Sequence, residues 1–151
     1  MKRAWMTMAV FVAGLGAGVS MGAAKAAPAR KHINLPGKLA LPFSDAVLAG
    51  DTLYLAGRIG LVPGTRQVPA TAEEEAKNVL DQVKTVLAAA DMTMDDLVTV
   101  QVFCSDVSLF DTWTKIYPTY FGKEPPARAF IGSGPLLFGA RFEMQAIAVR
   151  R

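Results

Sequence analysis

Residues 125–151 read PPARAFIGSGPLLFGARFEMQAIAVRR. Ala127 to Ile131 and Arg141 to Val149 alternate or cluster apolar residues as pleated strands do. Gly132 to Gly139 between them is Gly/Pro-rich, the chemistry of a connection. Arg128 opens the first run and Glu143 lies early in the second. Antiparallel pairing of the two runs would bring these opposite charges to the same end of a sheet. Such a pair on rigid strands has two readings. One is an anion-binding site with a built-in base. The other is a structural salt bridge at a sheet edge, because ion-pair networks also place such pairs.

Toward the N-terminus, LVTVQVFC at 97–104 alternates with β-branched residues and predicts a strand. It ends on Cys104, the single cysteine of the chain. No intrachain disulfide is possible, and with no histidine to activate it the thiol reads as a small buried hydrophobe. Asp106-Val107-Ser108 starts a helix expected from about Leu109 to Phe121, with Ser108 and Asp111 at capping-box spacing. Phe110, Trp113, Ile116, Tyr117, Tyr120 and Phe121 give it an aromatic face, and Pro118 predicts a kink or early break. No basic residues interleave with these rings, so they read as core or subunit contact and not as a base-stacking platform.

The helix with the strongest signal spans Thr71 to Ala90. Thr71 and Glu74 have capping-box spacing, and Ala76, Val79, Leu80, Val83, Val86 and Leu87 recur on one face. Glu73, Glu74 and Glu75 suit the first turn, where the helix dipole favours anions. A metal site at this triplet is not expected, since no His or Cys accompanies it. Before the helix, Ala46 to Leu48 and Thr52 to Ile59 form a hairpin around Ala49-Gly50-Asp51, followed by a loop from Gly60 to Pro69. The order β-β-α-β-α-β-β predicts an α+β two-layer sandwich with both helices on one sheet face. Several strands are apolar on both sides, which predicts that the other face is buried in an oligomer.

Residues 1–26 have the pattern of a secretory signal. Lys2 and Arg3 precede an apolar run from Ala4 to Ala24, and Ala24-Lys25-Ala26 presents small residues to a signal peptidase. Cleavage after Ala26 is expected, with a periplasmic or secreted product. The rival is an uncleaved anchor, since about 20 apolar residues span a bilayer. Lys2, Arg3 and Lys25 account for the whole formal charge of +3, so the remainder is near neutral. It lacks the basic footprint of a nucleic-acid binder, and after cleavage it carries no membrane segment. Residues 27–41, APARKHINLPGKLAL, read as a flexible lead-in, leaving 42–151 as one domain. The lead-in holds the single histidine, His32, which is expected to be solvated, with nothing nearby to orient it.

From about Leu41 to Arg151 the chain resembles the Rid (reactive intermediate deaminase) family, also called the YjgF family. The resemblance rests on a collinear series: AGDTLYLAGRIG at 49–60, NVLDQVKTVLAAADMTMDDLVTVQVFCSD at 78–106, the segment 117–121, PPAR at 125–128 and EMQAIAVRR at 143–151. It implies a protomer folded like the small trimeric chorismate mutase, a homotrimer, and sites in clefts between subunits. It also implies cofactor-free and metal-free hydrolysis of reactive 2-enamines and 2-imines, such as 2-aminoacrylate, to a 2-keto acid and ammonia. Arg128 matches the family's essential arginine, implying a bidentate grip on the substrate carboxylate. Glu143 matches its acidic residue, implying a holder of the attacking water. Gly57 matches the glycine whose backbone lies against the ligand. Phe43, Ala56 and Phe130 fall at substrate-contacting positions where the family usually has Tyr, Ser and Cys, and Arg58 replaces a neutral residue beside Gly57. The implied pocket keeps its anion grip, is drier and differently shaped, and leaves the substrate open. Two other readings stand beside the enzyme: a non-enzymatic carboxylate-binding or chaperone-like trimer, and an endoribonuclease.

Overall fold

The computed structural model describes residues 29–37, 42–122 and 124–151. The segment 1–26 and the cleavage expected after it lie outside them. A six-stranded sheet is covered on one face by two helices, an α+β two-layer sandwich as expected. The strands are β1 (Arg30–Ile33), β2 (Ala46–Ala49), β3 (Thr52–Ile59), β4 (Leu97–Cys104), β5 (Ala127–Gly132) and β6 (Phe142–Val149). Their order in the sheet is β1-β2-β3-β6-β4-β5. The helices are α1 (Ala72–Ala88), between β3 and β4, and α2 (Phe110–Ile116), between β4 and β5.

The hairpin forms as its turn residues predict, with Gly50 at φ +61°, a region that a residue without Cβ enters freely. The helix starting at Thr71 forms too. The Thr71 hydroxyl accepts from the Glu74 amide at 3.2 Å, and the six stripe residues Ala76 to Leu87 have no exposed surface. They pack on the inward face of β6, where Phe142, Met144, Ala146 and Ala148 are buried. That alternation explains the central place of β6: its even-numbered residues complete the apolar layer between β3 and β4.

Five expectations are corrected. The runs holding Arg128 and Glu143 do not pair. β4 lies between them, antiparallel to β6 and parallel to β5. The cause is the crossover: a strand reached from β4 through a helix returns parallel to it. The lead-in is not wholly without structure, because Arg30–Ile33 adds to β2 as an edge strand. His32 there has an orienting partner, with Nδ1 2.9 Å from Ser44 Oγ. The second helix is shorter than Leu109 to Phe121. It gives way to a 3₁₀ turn, Tyr117–Tyr120, at Pro118, which has no amide to continue the ladder. The capping box at Ser108 and Asp111 does not form: Asp106 caps a 3₁₀ turn, Val107–Leu109, its Oδ1 accepting from the Ser108 amide at 2.9 Å, and α2 itself follows Leu109 without a side-chain cap.

Candidate active site

Arg128 sits on β5, an edge strand, opposite Val100 of β4 and on the helix-covered face. There α2 receives it. Its Nη2 donates to Thr114 Oγ1 at 3.2 Å. Its guanidinium lies 5.5 Å from the Phe110 ring centroid and 4.9 Å from that of Tyr117, within cation–π range. Phe110, Thr114 and Tyr117 fall on one helical stripe (i, i+4, i+7), so α2 and the 3₁₀ turn that continues it cradle the arginine together. Burial pushes the Tyr117 phenol up to about 12, against the opposing pull of the Arg128 charge, so the ring is neutral beside the cation. Phe130, two residues along on the same face of β5, meets Phe110 edge-on at 5.2 Å.

Glu143 belongs to a second cluster. Its neighbours Phe142 and Met144 face the helices, so Glu143 points to the open face of the sheet. It abuts Gly57, where the β3–β6 register slips between Leu55 and Arg58. A Cβ at Gly57 would collide with Glu143 Oε1 and lie 2.9 Å from Cδ. Here the need for glycine is steric. The Ala56 amide, next to Gly57, donates to the Asp45 carbonyl at 3.0 Å, which brings the Phe43 segment alongside. The Asp45 carboxylate is buried, accepts from the Leu35 amide at 2.7 Å and pairs with Arg58 Nη2 at 2.6 Å. Arg58 therefore anchors the 42–46 segment to the bulge that holds Gly57.

The six sequence-derived positions thus fall into two groups. Arg128 and Phe130 lie on the helix side at the β5 edge. Phe43, Ala56, Gly57 and Glu143 cluster at the far end of β3 and β6. No ion pair joins Arg128 to Glu143 within the chain. They are separated by two strand spacings, roughly 10 Å, and by the thickness of the sheet, which removes the simple salt-bridge reading. Sequence reasoning does not find Thr114 and Tyr117 as partners of Arg128. Their helical spacing is visible in the sequence, but its relation to the strand is not.

Other features do not compete with these two clusters. Cys104 has no exposed surface, and burial pushes its thiol up. A cleft of about 400 Å³ between the 61–65 loop and α1, lined by Leu61, Val62, Asn78 and Gln82, includes none of the six positions. Among the described residues no three His, Cys, Asp or Glu side chains gather as a metal site, and no helix is long and apolar enough to cross a membrane.

A two-layer chain carrying an arginine at its sheet edge and a carboxylate on its open face is an α+β protein of the chorismate mutase-like class. The family model described as Endoribonuclease L-PSP matches residues 36–150. The chain belongs to that family, also called YjgF/Rid. It is 39% identical over 110 residues to the 2-iminobutanoate/2-iminopropanoate deaminase of Mus musculus, covering 72% of this chain and 82% of the mouse protein. The crystal structure of the Escherichia coli YjgF gene product is similar at TM-score 0.74 and 31% identity, covering 80% of this chain and 99% of that one. E. coli TdcF with bound serine is similar at TM-score 0.75 and 28% identity, again covering 80% and 99%.

Proposed function

We propose that this protein is a cofactor-free imine/enamine deaminase that converts 2-imino carboxylates to 2-keto acids and ammonia. The observation that carries the proposal is Arg128 itself, a guanidinium stacked on Tyr117 and Phe110 at an open sheet edge. It supplies a fixed fork for a carboxylate, and a charge-assisted hydrogen bond of this kind contributes about 1.5–3 kcal/mol. Relatives named for this reaction support the reading. Glu143 holds the attacking water and takes its proton. The water oxygen bonds to C2 while Glu143 passes the proton to the imine nitrogen, giving a carbinolamine. Transfer of its hydroxyl proton to nitrogen then breaks the C–N bond, so ammonia leaves and the 2-keto acid remains; an enamine first takes a proton at C3 to become the imine. Positioned proton transfer of this type contributes roughly 10²–10⁴ in rate.

Because the two clusters do not converge within one chain, we place each working site between subunits of a homotrimer, with Arg128 from one copy and Glu143 from its neighbour. The half-exposed Tyr54 and the Ile147 beside it on the open face supply apolar surface for that contact. We also place the mature chain in the periplasm or outside the cell, on the strength of residues 1–26, and N-terminal sequencing of the fractionated protein checks it.

The test of activity is to generate an imine with an amino-acid oxidase and follow its hydrolysis. Wild type should clear it faster than the uncatalysed rate and Arg128→Ala should not. Equal, slow clearance by both would overturn the enzymatic reading in favour of a carboxylate-binding trimer. An endoribonuclease is disfavoured by charge: beyond Lys2, Arg3 and Lys25 the chain is near neutral and supplies no basic footprint for a nucleic acid.

A further inference from the structure

The edge around Arg128 carries more apolar surface than a carboxylate grip requires. Phe130 follows Arg128 on the same face, its ring edge-on to Phe110. One step further along that face, Gly132 lies against Val107: a Cβ there would be 2.9 Å from Val107 Cγ1. Phe110 and Val107 remain 42% and 59% exposed in the protomer. At about 3.3 Å per residue, this strip extends about 13 Å from Arg128 to Gly132. Thr114, the hydrogen-bonding side chain at its cationic end, is already bonded to Arg128.

A fixed cation at one end, with the exposed Phe110 ring, the half-buried Phe130 ring and a branched side chain beyond it, matches an acid with an apolar tail. Resting on the deaminase reading above, we infer that the substrates are 2-imino acids with large apolar side chains, of the leucine and phenylalanine type, in preference to the alanine type. The carboxylate sits on Arg128 and the tail lies along Phe130, Phe110 and Val107. The chemistry is unchanged: water adds at C2 and nitrogen departs as ammonia. What the strip adds is binding of the tail, and pocket contacts of this size discriminate by roughly 10–200-fold.

The experiment compares kcat/KM for imines generated from leucine, phenylalanine and alanine, using the full assembled protein. Wild type should favour the first two by about tenfold or more. Val107→Ser changes an exposed position and should fold normally. It should lower kcat/KM for the leucine- and phenylalanine-derived imines more than for the alanine-derived imine, so that the ratio falls. Phe130→Cys should lower the same ratio further. Equal or faster turnover of the alanine-derived imine by wild type, or a ratio that neither variant moves, overturns the inference and leaves the deaminase reading intact. The inference is also overturned if Val107→Ser alters the oligomer's mass and not the ratio, because the strip is then subunit contact. Failure of wild type on every imine removes the deaminase reading and this inference together.

Discussion

Two residues decide whether the site is set up for chemistry or merely carries charge. Arg128 is held by two rings and a hydroxyl, so its geometry matters as much as its sign. Arg128→Lys keeps the charge but loses the planar fork and the stacking. We expect kcat/KM for imine hydrolysis to fall roughly tenfold to a hundredfold, the equivalent of about 1.5–3 kcal/mol. Gly57 acts through Glu143. In Gly57→Ala the new methyl occupies the space of the carboxylate oxygen, so Glu143 must turn away. A displacement of about 1 Å costs on the order of a hundredfold in rate, so activity should drop steeply while the melting temperature moves little. Full activity in the Gly57→Ala variant would show that Glu143 does not need its observed position. The resemblance identified both residues. It did not say what each rests on, because the contacts of Arg128 with α2 and of Glu143 with β3 join segments far apart in the chain.

Among the elements, α1 was the most legible and also the source of a misreading. Its stripe of Ala76 to Leu87 follows from periodicity alone. The triplet Glu73, Glu74 and Glu75 reads as three equivalent dipole partners, yet Glu75 is fully buried beside that stripe. Its carboxylate accepts from the amides of Arg141 and Phe142 and pairs with Arg141 Nη1 at 2.7 Å. It thereby ties the start of α1 to the start of β6. Glu75→Ala would leave the buried Phe142 amide without a partner and strip the carboxylate from Arg141, whose Nη1 keeps only the Pro69 carbonyl. We expect a loss of about 3–5 kcal/mol in urea unfolding, against less than about 0.5 kcal/mol for the exposed Glu73→Ala. β1 was illegible for the opposite reason: RKHI carries no strong strand signal and becomes a strand only by pairing with β2. α2 adds a pH dependence. Burial raises the Tyr117 phenol from about 10 in the unfolded chain to about 12 in the fold. Over that window the folded state keeps a proton that the unfolded chain releases. The resulting stability is complete below pH 10 and is lost as pH climbs toward 12. Unfolding midpoints measured across this range should fall less steeply for Tyr117→Phe than for wild type.

At the scale of the molecule, the layer order could be inferred from the alternation of elements, but the strand order could not. The pattern of β6 states which face is apolar and not which strands flank it, and its insertion between β3 and β4 separates Arg128 from Glu143. The same insertion leaves Tyr54 half-exposed beside Ile147 on the open face. A charge there opposes subunit contact, so Tyr54→Glu should shift the mass in sedimentation velocity toward the protomer and remove activity with it. The central claim is that one subunit supplies Arg128 and its neighbour Glu143. Co-expression of Arg128→Ala and Glu143→Gln chains tests it most directly, since each parent alone should be inactive. In a closed ring of randomly mixed subunits, roughly a quarter of the sites combine an intact Arg128 with an intact Glu143 from the next copy. Imine hydrolysis should therefore return to about that fraction of wild type. A mixed assembly no more active than its two parents would contradict the account.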